Sequence, residues 1–301
     1  MKNKIICGDS LEVLQTLPNE SVDCVITSPP YWSLRDYGVV GQLGLERTFQ
    51  EYVTKLCDIF DEVKRILKKE GTCWVNLGDT YSGNKEGKTD NKVSQYLKDT
   101  CTGISKKAII TEKCLCQIPS RFAIEMTSRG WILRNEIIWH KPNAMPSSVT
   151  DRFTVDYEKI FFFVKNKKYF FNQQFEPFVM NTDVEYRRGI RRGKSYISKQ
   201  PYNNNFPKSF NEKGRNMRSV WFIATKPFSE AHFATFPEKL IEPMIRAGCP
   251  KDGLVLDIFM GAGTTAIVAK KLNRKYFGIE LNPEYIKIAE DRINGVISPL
   301  F

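Results

Sequence analysis

Two stretches of the chain have residue types and spacing that could do chemistry. The first is Thr27-Ser28-Pro29-Pro30-Tyr31-Trp32. The apolar run Val22-Asp23-Cys24-Val25-Ile26 before it predicts a buried strand. The two prolines end that strand, because neither has an N–H for the ladder and each holds φ fixed. Ser28 is therefore expected at the carboxyl edge of a strand, where open α/β sheets bind their ligands. A hydroxyl, a rigid turn with outward carbonyls and two aromatic faces are suited to gripping a flat, hydrogen-bonding ring.

The second stretch lies in the last quarter. Gly253 to Phe259 reads as a strand running into Met260-Gly261-Ala262-Gly263-Thr264-Thr265; a helix is expected over Ala266–Leu272, then a strand over Tyr276–Glu280. This is a βαβ unit with a glycine turn after its first strand and an acid closing its second. Glu280 follows Gly261 by nineteen residues, close to the spacing at which an acid takes a ribose hydroxyl pair. The third glycine of the dinucleotide fingerprint is missing, which points to a nucleoside ligand without a pyrophosphate.

The elements that must position these stretches follow from periodicity. Ile5-Ile6-Cys7 predicts a strand, and Ser10 or Asp9 caps a helix carrying Leu11, Val13, Leu14 and Leu17. Ser33 to Arg47 reads as a loop near the site. Phe49 to Lys69 predicts an amphipathic helix with lysines at its end and Gly71 after it. Thr72–Leu77, Ile132–Trp139 and Ile160–Val164 predict strands, the last followed by a Lys165–Lys168 turn into a further aromatic strand. Gln117 to Arg129 and Leu240 to Arg246 predict helices, and Asn282-Pro283 starts the final one. Tyr81 to Thr111 is polar, a loop or a region ordered by its partner.

The 301 residues suit one large domain, or one with a smaller insert, and the formal charge of +11 favours a polyanionic partner. Eleven of the bases fall in Asn181–Lys226 against three acids. Arg187, Arg188, Arg191, Arg192, Lys194 and Arg215 are among them, interleaved with tyrosines, phenylalanines and Asn203-Asn204-Asn205. Bases for phosphates, amides for base edges and rings for stacking form a nucleic-acid-binding inventory. No apolar run is long enough to span a bilayer, and the first residues do not read as a signal peptide. Scattered cysteines and two histidines predict a cytosolic protein with reduced thiols and no metal.

The pairing of Thr27-Ser28-Pro29-Pro30-Tyr31-Trp32 with Asp257-Ile258-Phe259-Met260-Gly261-Ala262-Gly263-Thr264 resembles the amino-methyltransferases of DNA, which use S-adenosylmethionine (AdoMet). Gly8-Asp9-Ser10, Phe236-Pro237-Glu238-Lys239-Leu240 and Glu280 agree. The catalytic motif preceding the cofactor motif, with the basic region between them, is similar to the permuted β-class order. The resemblance implies an α/β fold: a doubly wound, mostly parallel, Rossmann-like sheet, circularly permuted, with an inserted basic target-recognition region. Residues 1–180 would be the catalytic part of the methyltransferase domain, 181–230 the target-recognition region, and 231–301 the AdoMet-binding part of the same domain. In an unpermuted order Ile5–Cys7 and Tyr276–Glu280 would be successive strands, so they are expected side by side.

The resemblance also implies roles. Ser28, Pro29, Pro30 and Tyr31 would be catalytic. Asp9, Phe236, Asp257, Phe259, Gly261, Gly263, Thr264 and Glu280 would hold AdoMet. Trp32, Arg187, Arg188, Arg191, Arg192, Lys194 and Arg215 would contact double-stranded DNA, bound by a monomer or a homodimer. An exocyclic amine conjugated to its ring is a poor nucleophile. Hydrogen bonds to Ser28 Oγ and the Pro29 carbonyl would favour a pyramidal nitrogen, with Tyr31 and Trp32 stacking on a flipped base. Methylation at cytosine C5 is excluded, because it needs a cysteine nucleophile, usually after proline, and the chain has no Pro-Cys pair. Serine in place of aspartate favours cytosine N4. Adenine N6 stays as the alternative, with an RNA methyltransferase or a non-catalytic nucleic-acid-binding protein further behind.

Overall fold

The computed structural model describes residues 2–82, 110–177, 214–226 and 236–296. The chain divides into two units, Met1–Phe171 with Ser219–Phe301, and Asn172–Arg218.

The first unit is built on a sheet of eight strands among the described residues: β1 (Lys4–Cys7), β2 (Val22–Thr27), β3 (Leu67–Leu77), β4 (Ile132–His140), β5 (Tyr157–Val164), β8 (Val220–Phe222), β9 (Leu254–Asp257) and β10 (Lys275–Glu280). Their order is β1-β10-β9-β2-β3-β5-β4-β8. All neighbours are parallel except β5, which runs antiparallel to both β3 and β4. The expected adjacency of the distant strands is present: β1 pairs with β10, with Cys7 opposite Glu280.

Alternation along the strands fills two faces. Cys73, Val75 and Leu77 of β3 and Phe161 and Phe163 of β5 point into a core shared with α1 (Ser10–Gln15), α2 (Phe49–Ile66) and α3 (Ile118–Ser128). Their neighbours Trp74 and Phe162 stack on the opposite face, ring centroids 4.0 Å apart. There α4 (Glu238–Gly248) approaches, and α5 (Thr264–Lys271) and α6 (Pro283–Asn294) pack with Met260 in a smaller cluster. The doubly wound arrangement therefore follows from period-2 strands with apolar residues on both sides.

Two boundaries differ from the sequence reading. The α2 helix stops at Ile66, because Leu67 turns extended and pairs with Val22. Lys68 then reaches Asp23 at 2.8 Å, so this lysine serves the start of a strand, not the end of a helix. Gly71 is a close-approach residue: a Cβ there would sit 2.7 Å from the Leu67 side chain. The aromatic segment after Lys168 forms no strand of the sheet. Tyr169 and Phe171 pack their rings on Phe162 instead, and the Phe170 N–H donates to the Glu70 carbonyl.

In the second unit β6 (Phe175–Glu176) pairs antiparallel with β7 (Arg215–Asn216). Arg187, Arg188, Arg191, Arg192 and Lys194 lie outside the described residues, as does most of the polar Tyr81–Thr111 stretch. Among the described residues no helix is long and apolar enough to cross a membrane.

The contact of α4 with the sheet is tight at Gly248, where a Cβ would lie 2.4 Å from both Thr72 Oγ1 and Trp74 Nε1. Gly248→Ala should therefore destabilise the protein by about 1–3 kcal/mol through overpacking. Urea unfolding monitored by tryptophan fluorescence measures this, and a midpoint equal to the wild type would contradict the packing described.

Candidate active site

Because β1, β2, β3, β9 and β10 run parallel, their carboxyl ends meet along one edge of the sheet. That edge carries Asp9, Ser28, Gly78, Asp257 and Glu280. The antiparallel β5 brings its amino end, with Glu158, to the same place.

Asp257 sits at the centre and is 1 % exposed. Its Oδ1 accepts from Thr27 Oγ1 at 2.7 Å and from the Phe259 N–H at 3.1 Å, and its Oδ2 accepts from Thr265 Oγ1 at 2.6 Å. One carboxylate thus joins the end of β2, the glycine turn and the start of α5. Burial pushes its pKa up to about 6 against the pull of these three bonds, and the charge of Glu280 adds to the rise. Ser10 adds a second tie, its buried hydroxyl donating to the Ile258 carbonyl at 2.6 Å.

The glycine turn is shaped for close approach. Gly261 has φ +50° and nothing within 4 Å of where a Cβ would stand. Gly263, φ +79°, backs onto Ala289, which a Cβ would meet at 2.9 Å. The Glu280 carboxylate accepts from the Gly261 N–H at 2.7 Å and the Asn282 N–H at 2.9 Å. Its pKa is raised by burial, which outweighs these bonds. A carboxylate has about four lone-pair sites, so these backbone bonds do not saturate it. Asp9 caps α1, accepting from Leu11 and Glu12 N–H groups. Phe236 is half-buried ahead of α4. Thr264 is buried, and its hydroxyl is met by Arg292 at 3.4 Å.

On the Ser28 side, Pro29 is buried and the Pro30 carbonyl is taken by the Tyr52 hydroxyl at 2.8 Å. The Ser28 hydroxyl donates to Tyr31 Oη at 3.4 Å, and that hydroxyl in turn donates to Glu158 Oε2 at 2.7 Å, with Asn76 Oδ1 at 3.3 Å. Lys141 pairs with the other Glu158 oxygen. Burial and, after it, the Glu158 charge hold the Tyr31 phenol well above its ordinary pKa. Gly78 leaves room for the Tyr31 ring, since a Cβ would fall 2.5 Å from Cε2. Trp32 is anchored inward: its indole N–H donates to the Glu46 carbonyl at 3.0 Å and its ring meets Phe49 edge-on. In the other unit Arg215 is held by Glu176 at 2.7 Å. Arg218 shares that carboxylate, and the two guanidiniums keep its pKa below the usual value despite desolvation.

A family model for DNA methylases, N6_N4_Mtase, matches residues 22–291. The type II methyltransferase M.XycI of Xanthomonas campestris pv. cyanopsidis is 41 % identical over 294 residues, covering 96 % of this chain and 86 % of that one. M.SmaI of Serratia marcescens, also a type II methyltransferase, is 39 % identical over 296 residues, covering 96 % and 90 %. The chain belongs to the DNA methylase family. It is a type II DNA methyltransferase, with AdoMet as methyl donor and DNA as substrate. Among solved structures, the fold matches the PvuII DNA methyltransferase (cytosine-N4-specific) with a TM-score of 0.64 at 23 % identity, over 99 % of this chain and 89 % of that one. TTHA0409 of Thermus thermophilus, solved with S-adenosyl-L-methionine, matches with a TM-score of 0.59 at 22 % identity, over 99 % and 96 %.

The structure also brings to this edge residues that the sequence reading missed. Glu158, Lys141, Asn76 and Gly78 reach the Ser28 turn from β3, β4 and β5, and no local motif marks them. Tyr37, on the loop expected near the site, meets Tyr285 edge-on at 6.4 Å, and the Glu280 charge helps raise the pKa of both phenols after burial. Glu280 is therefore flanked by two rings from opposite ends of the chain.

The state of Asp257 gives a pH test. Folding raises its pKa from 3.8 to about 6, so the folded chain binds this proton more tightly than the unfolded one. The stability it contributes is complete below the lower value and is lost as pH rises through the upper one, on the order of 3 kcal/mol. Chemical denaturation across this range should show a fall in wild-type stability that Asp257→Asn flattens. An equal slope in both proteins would refute the assignment.

Proposed function

We propose that the methyltransferase acts on the exocyclic N4 amine of a cytosine turned out of duplex DNA. The observation that carries this reading is Ser28 at the carboxyl end of β2, tied through Thr27 and Asp257 to the glycine turn. Serine offers the amine a single neutral acceptor that can also donate, where an aspartate would accept both amine hydrogens strongly. The similar PvuII enzyme, described as cytosine-N4-specific, supports the choice.

The roles follow from position. Ser28 Oγ and the Pro29 carbonyl accept the amine hydrogens and aim the nitrogen lone pair; the Pro30 carbonyl is already engaged by Tyr52. The Tyr31 ring stacks on the base. Open space above Gly261 and free lone pairs on Glu280 fit AdoMet, whose sulfonium supplies the electrophilic methyl group. Glu280 holds the ribose hydroxyls and the Phe259–Gly263 turn runs along the methionine part. Catalysis is then mainly positioning for an in-line displacement. We read the strand order as a circular permutation, and the basic Asn181–Lys226 stretch as the region that grips the target.

Digestion of methylated DNA to nucleosides, with mass and retention read for each product, tests the target atom. N4-methyl-2′-deoxycytidine is expected, and N6-methyl-2′-deoxyadenosine alone would overturn the choice. Ser28→Ala should abolish most turnover while leaving AdoMet binding intact. Glu280→Ala should weaken AdoMet binding roughly ten- to a hundredfold by calorimetry, and unchanged affinity would remove Glu280 from the ribose site.

A further inference from the structure

The methylated amine must shed a proton, and Ser28, unlike a carboxylate, has little capacity to keep one. We propose that Ser28, Tyr31 and Glu158 form a proton relay that carries the amine proton away from the base to a carboxylate on β5. The inference rests on the role of Ser28 proposed above.

Three features support it. The two hydrogen bonds point the same way: Ser28 Oγ donates to Tyr31 Oη at 3.4 Å, and Tyr31 Oη donates to Glu158 Oε2 at 2.7 Å. Both lone pairs of Ser28 are thereby left to face an incoming amine. The longer first bond is of the kind that tightens when substrate fills the site. Second, Glu158 has a place at this edge only because β5 is antiparallel; Trp139 is its strand partner. Third, its side chain is 16 % exposed and carries Lys141 on its other oxygen, so the negative charge is compensated while Oε2 remains turned to Tyr31.

The step balances. As the amine nitrogen bonds to the methyl carbon, the carbon–sulfur pair leaves with sulfur and the positive charge moves to nitrogen. The nitrogen gives a proton to Ser28 Oγ, the Ser28 proton passes to Tyr31 Oη, and the Tyr31 proton passes to Glu158 Oε2. The base is left neutral and Glu158 protonated, to release its proton to solvent. Glu158 acts through Tyr31 and is a positioning residue for the proton, whereas Ser28 touches the amine.

The test is single-turnover methyl transfer by the AdoMet-loaded protein on a duplex oligonucleotide, from about pH 6 to about pH 9. Glu158→Gln and Tyr31→Phe should each slow it by about a hundredfold at neutral pH, with AdoMet and DNA affinities near wild type. The double variant should be little slower than either single one, because both break one path. Glu158→Asp should recover part of the rate, and the Glu158→Gln rate should climb with pH as hydroxide replaces the carboxylate. Free of turnover, 13C-tyrosine NMR of the ligand-free protein should show the resonance missing from Tyr31→Phe ionising at lower pH in Glu158→Gln. Wild-type rates in Glu158→Gln, a loss confined to DNA or AdoMet affinity, or an unmoved Tyr31 titration would each overturn the relay. The same digests separate this from the target reading: N4-methyl-2′-deoxycytidine formed at full rate by Glu158→Gln removes the relay alone, and N6-methyl-2′-deoxyadenosine from the wild type removes the cytosine reading alone.

Discussion

The site depends on one buried carboxylate. Asp257 takes three hydrogen bonds from three segments, and each is needed because the other donors have no water to turn to. Thr27 belongs to the strand that delivers Ser28, Phe259 to the turn expected to face the cofactor, and Thr265 to the helix behind that turn. Methyl donor and acceptor have to meet in line, and a shift on the order of 1 Å is enough to damage such a reaction. A rearrangement that broke these short bonds would leave a buried charge and its donors unpaired, which is costly. The raised pKa of Asp257 is the cost of this arrangement written in protonation.

Around that anchor the sheet sorts its functions by strand direction. Parallel strands bring their carboxyl ends, with the turns that follow them, to one edge, and these supply Ser28, the glycine turn and Glu280. The antiparallel β5 contributes its opposite end to the same edge, so a residue at the start of a strand faces residues at the ends of others. That is how Glu158 comes to stand against Tyr31, although the two are 127 positions apart in the chain. Glycines set the fine spacing: Gly78 admits the Tyr31 ring, and Gly261 leaves its backbone uncovered.

Much of this was legible in the amino-acid order. Pro29 and Pro30 end a β-branched run whatever surrounds them, because they lack the N–H and fix φ, so the position of Ser28 at a strand end is a local consequence. The glycine turn between two strands, with Glu280 closing the second, is local in the same sense. Asp9 and Asn282 announce helix starts through side chains that reach only their own neighbours. The resemblance to DNA amino-methyltransferases rested on these same stretches, and the family match runs through both of them.

Tertiary structure decided the rest. Lys68 and Lys69 fit a helix end or a strand start equally well by propensity, and the pairing of Leu67 with Val22 chose the strand. Tyr169 to Phe171 have strand composition, yet their rings are used on Phe162 and no ladder forms. Trp32 reads as a stacking face, but Glu46 and Phe49 claim its indole. Glu158, Lys141 and Asn76 carry no motif, for their meaning comes from which strands are neighbours. Local sequence determines where the backbone can bend and which faces are apolar, because those are set by sterics and periodicity over a few residues. Which distant side chain completes a hydrogen bond depends on burial and strand order, and those exist only once the sheet has assembled.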